Sequence, residues 1–433
     1  MNNESINVFW FRRDLRLHDN VGLFHALKAG NVLPIFIFDT NILEQLPKND
    51  ARVHFIHQQL EHINLTLSTN QSGIAIFHDT PENVFKNLIE SYQIDAIYTN
   101  HDYEPYAIKR DLTIKDLLNK NSIEFHSYKD QVIFERNEVV KSDGSPYKVY
   151  TPYSKKWLET LKFNPLKFLS SETLTHQCIE HEFPFLELDD IGFSEPDMKV
   201  VNYKVTPHLI KTYEETRNFP ALDSTSKLGP HLRFGTVSIR KLVAKAETYN
   251  NITFLKELIW REFFMQILWH FPNTITNSFK PKYDFIKWRN DKKDFKNWCD
   301  GHTGYPLVDA GIRELNTTGF MHNRVRMLVG SFLCKHLLID WRWGEAYFAE
   351  KLHDYEMASN VGNWQWVAGC GVDAAPYFRI FNPTTQIEKF DKQHKYIKKW
   401  VPEYQELGYI NSQIVDHKFA RERCLKVYKE ALT

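Results

Sequence analysis

The first 130 residues alternate between short apolar runs and longer amphipathic stretches. The apolar runs are rich in β-branched and aromatic residues, as buried strands are, and they lie at residues 6–11, 32–38, 74–78, 95–100 and 123–128. Between them, stretches such as NVGLFHALKAG and VHFIHQQLEHINLTL repeat apolar residues with helical spacing. Strands that alternate with helices predict a doubly wound parallel sheet, so residues 1–130 are predicted to form a Rossmann-like α/β domain.

Beyond residue 130 the pattern changes twice. Residues 131–200 carry glycine, proline and aspartate in runs such as SDGSPYKVYTPY and FPFLELDDIGFSEPD, which are typical of a connector. From residue 201 to 433, helical patterns follow one another, for example TFLKELIWREFFMQILWHF and NRVRMLVGSFLCKHLL. The chain is therefore predicted to contain an α/β domain, an interdomain linker and an all-helical domain.

Composition narrows the classes of function. The 433 residues are 42% hydrophobic, carry no net charge and include no apolar stretch long enough to cross a bilayer. The polar N-terminus lacks the features of a signal peptide, so we expect a cytoplasmic protein without a membrane partner. Five cysteines without CxxC spacing and 19 histidines without an HExxH motif argue against disulfides and a metal site.

Tryptophan is concentrated in the helical region, which holds nine of the eleven tryptophans. The segment SNVGNWQWVAGCG places Trp364 and Trp366 two positions apart, between Gly362 and Gly369. One interpretation is an ordinary buried helix whose indoles fill a core. The other, which we expect, is that the space left by the two glycines holds a flat ligand.

Three further segments carry candidate chemistry. The segment FWFRRDLRLHDN, residues 9–20, covers the end of the first strand and by itself indicates a surface ion-pair cluster. The segment TSKLGPHLRFGTVS begins with Thr225 and Ser226 ahead of a predicted helix, which suits either an anion site or a plain helix N-cap. The segment ELIWREFF places Glu257 and Trp260 on one face of a helix.

The chain resembles the photolyase/cryptochrome family in four long motifs, which are ELIWREF, MHNRVRM, WQW and APYFRIFNPTTQ. The resemblance extends from Val8 to about Tyr428 and is closest to the class I cyclobutane pyrimidine dimer photolyases. It implies a lyase in which light-excited, fully reduced FAD donates an electron to a pyrimidine dimer in DNA. The cyclobutane bonds then split and the electron returns.

The family resemblance assigns a non-covalent FAD to the helical domain. Asp354 would pair with Arg326 near the flavin ring, and Asn360 would lie close to flavin N5. Glu356 stands where the family usually has aspartate. The residues that the resemblance implies for FAD are Tyr213, Thr225, Ser226, Lys227, Leu228, Gly229, Phe254, Arg261, Arg326, Asp354, Tyr355, Glu356 and Asn360.

Two separate roles for tryptophan follow from the resemblance. Trp364, Trp341 and Trp288 would form a chain that carries electrons to the photoexcited oxidised flavin. Trp366 and Trp260 would instead form the walls of a dimer pocket. Residues two apart on a helix point about 200° away from each other, so Trp364 and Trp366 can face different sides.

The dimer pocket also needs groups that stabilise charge on a pyrimidine carbonyl. Glu257 would be protonated, because burial raises the pKa of a carboxyl group, and would donate a hydrogen bond. As an alternative, Glu257 is an exposed carboxylate that pairs with a neighbouring lysine. Asn323 would serve the second pyrimidine and Met327 would fill the floor. The residues implied for catalysis are Glu257, Asn323, Met327, Trp364, Trp341 and Trp288.

The partner that the resemblance implies is damaged DNA. The dimer would be bound in a single strand or flipped out of a duplex, as photolyases do as a class, and we expect a monomer. Arginine contacts with phosphates would make the binding salt-dependent. The residues implied for DNA contact are Arg217, Glu257, Trp260, Arg261, Phe264, Asn323, Arg324, Trp366, Arg379 and Gln386.

Alternatives remain open within the family. Enzymes for (6-4) photoproducts carry histidines in place of Asn323 and Met327, and DASH-type cryptochromes usually have tyrosine at the position of Trp366. A cryptochrome-type blue-light receptor without repair activity would be expected to lose part of the dimer pocket. A second, antenna chromophore is not assigned, because folate-binding members carry an Asn-Glu pair where this chain has Tyr106 and Ala107.

Overall fold

Five parallel strands form one sheet in the N-terminal part of the chain. The structure is a computed structural model that describes residues 5–249, 251–410 and 412–433. The strands are β1 Ile6–Phe11, β2 Val32–Asp39, β3 Ala75–Asp79, β4 Ile94–Asn100 and β5 Glu124–Tyr128. Their order is β3-β2-β1-β4-β5, and all neighbours are parallel. The predicted doubly wound sheet is confirmed, with each strand within one residue of its predicted bounds.

The central strands are buried on both faces of the sheet. Every residue of β1 and β2 is buried. Phe9 and Phe11 of β1 contribute to one apolar layer, whereas Val8 and Trp10 contribute to the layer on the opposite face. Because both faces need apolar side chains, these strands appear in the sequence as continuous apolar runs.

Helices cover the two faces of the sheet. Those before residue 130 are α1 Val21–Ala29, α2 Thr40–Leu43, α3 Ala51–Ser68, α4 Pro81–Ser91 and α5 Pro105–Lys120. Asn20, Asp50 and Thr80 precede α1, α3 and α4, and their side chains accept hydrogen bonds from backbone N–H groups of the first turns. Such caps satisfy N–H groups that have no partner within the helix.

Beyond β5 the described part of the chain contains helices and no further strand. The α-helices are α6 Tyr150–Phe163, α7 Pro207–Thr216, α8 Gly229–Arg233, α9 Ile239–Thr248, α10 Ile252–His270, α11 Lys292–Cys299, α12 Pro306–Thr318, α13 Asn323–Ser331, α14 Trp341–Lys351, α15 Met357–Ala368, α16 Pro383–Phe390, α17 Lys395–Trp400, α18 Leu407–Ile410 and α19 His417–Leu432. Shorter 3-10 turns lie at Ser171–Gln177, Asp189–Ile191, Pro272–Ile275 and Pro281–Phe285, and a π-helical turn lies at Phe332–His336. None of the helices in the described ranges is both long and apolar enough to span a membrane.

The chain divides into two compact units that are discontinuous in sequence. The first unit consists of Met1–Glu135, Thr160–Val201 and Leu228–Thr248, and the second of Arg136–Glu159, Asn202–Lys227 and Tyr249–Thr433. The segment predicted as a linker, residues 131–200, is therefore shared between the two units. A sequence pattern describes only neighbouring residues. It therefore could not show that segments far apart in the sequence pack into one unit. The sheet lies in the first unit, and a core containing Trp298, Trp341 and Trp364 lies in the second.

A buried network of charges lies beside the end of β1 in the first unit. Arg16 donates to both carboxylate oxygens of Asp130 at 2.8 Å, and Arg240 donates to Asp130 at 2.8 Å and to Asp19 at 3.0 Å. Burial disfavours the charge on Asp130, but the two guanidinium groups outweigh this effect and lower its pKa. The cluster predicted for residues 9–20 is ion-paired, but its predicted surface position is wrong, because partners distant in sequence bury it.

We expect Asp130→Asn to lower the free energy of unfolding by about 3–5 kcal/mol, since it leaves two buried guanidinium groups with one carboxylate. Because folding lowers the pKa of Asp130, the stabilisation is present above the unfolded pKa and is lost as pH falls through the folded value. Urea unfolding across this pH range measures both effects. The control is Glu82→Gln in the exposed pair with Lys86, which should change stability by about 0.5 kcal/mol or less. Equal losses in the two variants would contradict the prediction.

Candidate functional site

A cavity opens beside α13, α14 and α15 in the second unit. Its wall combines aromatic rings with a few charged and amide groups. The lining residues are Asn323, Arg326, Met327, Gly330, Phe348, Leu352, Asp354, Tyr355, Glu356, Ser359, Asn360, Asn363, Trp364, Trp366 and Val367.

Helical spacing explains how residues from two helices reach the cavity. Helix α13 begins at Asn323 because the side chain of His322 accepts a hydrogen bond from the Arg324 N–H at 3.2 Å. Residues at positions i, i+3, i+4 and i+7 share one helix face, and those that line the cavity are Asn323, Arg326, Met327 and Gly330 on α13 and Asn360, Asn363, Trp364 and Val367 on α15. The structure therefore brings residues predicted for catalysis and for the cofactor to one cavity.

A glycine on α14 makes room for the Trp364 ring. A Cβ atom at Gly344 would lie 2.1 Å from this ring, and one at Gly330 would lie 3.5 Å from it. The ring also packs against Phe348 and Trp298, with centroid distances of 4.9 and 6.2 Å. Helix α14 can approach the indole this closely because position 344 lacks a side chain, whereas 3.5 Å from position 330 is an ordinary van der Waals contact.

Gly362 has a different role from the predicted one. A Cβ atom there would lie 2.2 Å from the Phe264 ring, so this glycine lets α10 and α15 cross closely. Gly369 ends α15 with a φ of 92°, in the left-handed region that favours glycine. The prediction that the two glycines leave space for a ligand is wrong. A protein ring fills the first space, and the second glycine is required by the backbone.

Trp260 and Trp366 lie one helical turn from this crossing. Trp260 precedes Phe264 by four residues on α10, and Trp366 follows Gly362 by four residues on α15. Both indoles are half-buried, and Trp366 also lines the cavity. The two residues predicted as walls of a dimer pocket therefore belong to two helices in direct contact.

Trp260 stacks on Tyr150, a residue that the sequence analysis missed. The two ring centroids are 3.6 Å apart and the ring planes differ by 6°. The Tyr150 hydroxyl donates to the Lys256 carbonyl at 2.8 Å. Tyr150 lies in the segment predicted as a linker, where the aromatic run KVYTPY was the only local signal of a packed position.

Glu257 is paired with an arginine that is distant in sequence. Arg217 Nη1 lies 2.5 Å from Glu257 Oε1. Burial raises the pKa of Glu257, and the charge of Arg217 opposes this rise. The Arg217 guanidinium also lies 5.5 Å from the centre of the Tyr213 ring, which contacts Phe254 at 5.3 Å. The alternative in which a neighbouring lysine pairs with Glu257 is therefore wrong.

Two oxygen atoms of the cavity residues are available to a ligand. Arg326 donates to Asp354 Oδ2 at 2.9 Å, whereas the buried Asp354 Oδ1 accepts no hydrogen bond from any residue that the structure describes. Asn360 donates through Nδ2 to the carbonyl and the carboxylate of Glu345, at 3.1 and 2.9 Å. Its Oδ1 is therefore the amide atom left to accept a hydrogen bond from a ligand.

Two further residues predicted for the cofactor, Arg261 and Lys227, do not line the cavity themselves. They lie near side chains that do. Arg261 of α10 donates to Glu356, which lines the cavity, at 3.0 Å. The ammonium group of Lys227 and the guanidinium group of Arg326 lie 6.0 and 5.9 Å from the centre of the same ring, that of Phe320. The segment predicted to bind an anion therefore reaches the neighbourhood of the Arg326 side chain.

The hydroxyl residues of that segment do not cap a helix. Helix α8 begins at Gly229 without a side-chain cap, so the N-cap interpretation of Thr225 and Ser226 is wrong. Lys227 has a φ of 53° and turns the chain, while its ammonium group pairs with Asp223 at 2.6 Å. The anion-site interpretation stays a prediction.

The remaining predicted tryptophans lie outside the cavity wall. Trp341 is fully buried at the start of α14, with the Arg342 guanidinium 4.8 Å from its ring centre. Trp288 is half-buried and contacts Tyr428 edge-on at 5.9 Å. Trp298, which contacts Trp364 directly, carries no motif in the sequence and was missed. The proposed order of electron transfer stays a prediction.

Residues predicted for DNA contact include several accessible side chains. The Arg324 guanidinium lies over the ring of Phe390 at 4.5 Å. Arg379 is exposed in the loop after α15, next to Phe378, whose side chain is 60% exposed and was missed. Gln386 is half-buried on α16. Exposed aromatic and basic side chains in one loop are a common feature of nucleic-acid surfaces.

Comparisons with known proteins account for most of the chain. Residues 7–172 match the family described as DNA photolyase, and residues 254–410 match the FAD binding domain of DNA photolyase. The chain is also 36% identical to the deoxyribodipyrimidine photo-lyase of Agrobacterium fabrum, over 97% of both chains. The chain belongs to the DNA photolyase family.

Solved structures of this family and of a cryptochrome share the fold. A class III photolyase from Agrobacterium tumefaciens has a TM-score of 0.87 and 32% identity, over all of this chain and 98% of that chain. A cryptochrome from Synechocystis sp. has a TM-score of 0.85 and 25% identity, over 99% of this chain and all of that chain. The fold therefore does not by itself distinguish repair from light reception.

The matched FAD-binding domain of the photolyase family contains the whole cavity. Residues 254–410 include α13, α14 and α15 and every residue that lines the cavity. The predicted FAD cofactor is confirmed by this match. The two free oxygen atoms described above, on Asp354 and Asn360, fit a ligand with hydrogen-bond donors.

The two positions that the family resemblance matches to a folate-binding Asn-Glu pair are Tyr106 and Ala107. Tyr106, in the first turn of α5, donates its hydroxyl to Asp39 Oδ2 at 2.5 Å. Burial and this carboxylate raise the pKa of Tyr106 to about 12. Ala107 is buried and offers only a methyl group. These two positions therefore supply no carboxylate to a second chromophore.

We expect Gly362→Ala to lower the free energy of unfolding by about 1–3 kcal/mol, because the added Cβ atom would overlap the Phe264 ring. Thermal unfolding measures the change. The matched control is Gly408→Ala, since a Cβ atom there would meet no atom within 4 Å. Equal stability of the two variants would contradict the close packing of α10 against α15 at Gly362.

Proposed function

We propose that the protein is a light-dependent deoxyribodipyrimidine photo-lyase that repairs cyclobutane pyrimidine dimers in damaged DNA. The observation that carries this proposal is a single cavity lined by residues of two kinds. The residues assigned to FAD are Arg326, Asp354, Tyr355, Glu356 and Asn360, and those assigned to the dimer are Asn323, Met327 and Trp366. A flavin and a dimer held by these residues would be close neighbours, which short-range electron transfer requires.

The chain's own residues hold and orient the flavin. Asp354 and Asn360 each offer an oxygen acceptor, and Glu345 fixes the direction of the Asn360 amide. Arg326 and Lys227 supply positive charge suited to phosphate groups. Reduced FAD, when bound, supplies the electron that light transfers to the dimer.

Recognition of the dimer rests on stacking and on amide and carboxyl groups. Trp260 and Trp366 form two aromatic walls on helices that touch at the Phe264 crossing. Asn323, exposed at the start of α13, has an amide that can bond a pyrimidine edge. Glu257, at the start of the same α10 face as Trp260, can donate to a second carbonyl when it is protonated.

The dimer leaves the DNA stack to enter this site. Arg324 and the exposed Arg379 would contact phosphates on either side, and the exposed Phe378 would occupy the gap in the stack, as apolar wedges do in other DNA-binding proteins. Both sets of residues come from one chain, so a monomer suffices. Flipping and the monomeric state belong to this proposal.

The tryptophans provide a path for photoreduction of the flavin. Trp364 lines the cavity, Trp341 is buried in the same core, and Trp288 is half-buried against that core. This order would carry an electron from the surface to the cavity. The path is separate from the two indoles that stack on the dimer.

With the flavin fully reduced, the enzyme should restore pyrimidines in dimer-containing DNA under blue light and leave them unchanged in darkness. Trp366→Ala should weaken binding of this DNA about 5- to 150-fold, which corresponds to roughly 1–3 kcal/mol of stacking. The matched control, Trp400→Ala, removes another half-buried indole that does not line the cavity and should leave the affinity near that of the wild type. Dimers left intact in light by the wild-type enzyme would favour a cryptochrome-type receptor instead.

Binding of dimer DNA should be accompanied by proton uptake at Glu257. When a DNA phosphate engages Arg217, the carboxyl group loses the cation that stabilises its charge, so its pKa rises further. The uptake occurs between the pKa of the free and of the bound enzyme, and binding enthalpies in buffers of different ionisation enthalpy measure it. Glu257→Gln should abolish the uptake. Equal uptake in that variant, or proton release by the wild type, would show that Glu257 is not the group that titrates.

A further inference from the structure

We propose that Tyr150 is a positioning residue for dimer recognition. It fixes the plane of the Trp260 indole. The proposal rests on the proposed function, in which Trp260 is a wall of the dimer site. It assigns a role to the segment before α6, which the sequence pattern alone had marked as a connector.

The stack between the two rings is nearly parallel and in van der Waals contact. The centroids are 3.6 Å apart and the planes differ by 6°. One face of the Trp260 indole is therefore covered by the Tyr150 ring. The Phe264 ring also stacks on this indole, with centroids 5.6 Å apart and planes 28° apart, so a base can contact only the surface that these two rings leave exposed. Because the covered face is in contact over a whole ring, rotation of the indole about its side-chain bonds would break this contact.

Tyr150 is itself held by three neighbours. Its hydroxyl donates to the Lys256 carbonyl at 2.8 Å, one turn before Trp260 on the same helix. Its backbone N–H donates to the Asp373 carboxylate at 3.1 Å, and its ring meets Phe263 edge-on at 5.8 Å. Burial raises the pKa of the Tyr150 hydroxyl, so the group remains a donor at neutral pH.

The helix that begins at Tyr150 is anchored to α10 by a second set of contacts. The buried carboxylate of Glu262 accepts hydrogen bonds from Trp157 Nε1 at 2.5 Å and from the Tyr153 hydroxyl at 3.3 Å. Glu262 lies two residues after Trp260 on α10. These contacts hold Tyr150 in place through α6, so Tyr150 would keep its position if the Trp260 indole rotated.

If the Trp260 indole is already held in one orientation, it loses less conformational entropy when a base stacks on it, and this favours binding. The effect concerns the affinity for the dimer and not the electron transfer that follows. Tyr150 should therefore influence how tightly damaged DNA binds, while the yield of repair in the saturated complex stays unchanged. A merely structural residue would lower the affinity for damaged and undamaged DNA alike.

The test compares Tyr150→Leu with Tyr150→Phe in the full chain containing FAD. We expect Tyr150→Leu to raise the Kd for a dimer-containing oligonucleotide about 3- to 10-fold and to leave the Kd for the undamaged oligonucleotide unchanged. Tyr150→Phe keeps the stack and should restore most of the affinity. Tyr147→Leu is the matched control, since the Tyr147 ring contacts Tyr153 instead of Trp260. Flavin absorbance checks folding, and Tyr150→Met replaces the leucine variant if that variant fails to retain FAD.

A double-mutant cycle with Trp260→Ala separates this inference from the proposed function. Trp260→Ala alone should weaken dimer binding, and adding Tyr150→Leu to it should cause no further loss, because the two residues act through one indole. Wild-type affinity in Tyr150→Leu, equal weakening for both DNAs, or fully additive losses would each overturn the role of Tyr150. If Trp260→Ala itself binds dimer DNA normally, the indole is not a wall and both assignments fail. Absence of repair by the wild type would instead refute the proposed function.

Discussion

The close crossing of α10 and α15 is the constraint on which the site depends. The Phe264 ring occupies the space that a side chain at Gly362 would need, so the two helices are separated by little more than one ring. From this crossing α10 carries Glu257 and Trp260, and α15 carries Trp366 toward the cavity. The spacing between the two helices therefore sets the spacing between residues assigned to the dimer. A larger side chain at the crossing would disturb several of these residues together.

Two ion pairs of the molecule differ in how much it costs to separate them, because they differ in burial. The side chains of Arg16 and Asp130 are 3% and 1% exposed, so separating them would leave uncompensated charge in the interior. The side chains of Arg217 and Glu257 are 25% and 31% exposed. A phosphate can replace the carboxylate as the partner of this arginine at far lower cost. The first pair suits a fixed support, and the second suits an exchange of partners on DNA binding.

The aromatic residues are fixed by two different means. Trp364 packs against Phe348 and Trp298 and is approached closely by α14 at Gly344, so its orientation follows from the packing of the core. Trp260 is half-buried and is instead held on one face by Tyr150. The first arrangement suits an indole beside a cofactor, and the second leaves part of the indole exposed, where a base could contact it. A photolyase and a cryptochrome share this fold, so the architecture by itself does not distinguish their functions.

The sequence by itself determined the parallel sheet and the helical region, because alternation and helical spacing are local properties of the chain. The family resemblance, and not this spacing, indicated cavity residues such as Asn323, Arg326 and Asn360. The long motifs added FAD and the family. Only the tertiary structure decided which residues are partners, as it did for Gly362 with Phe264, Trp260 with Tyr150 and Glu257 with Arg217. The members of each pair are separated by 40 residues or more in the sequence. No local pattern specifies such a pair, since the contact exists only after the helices have packed.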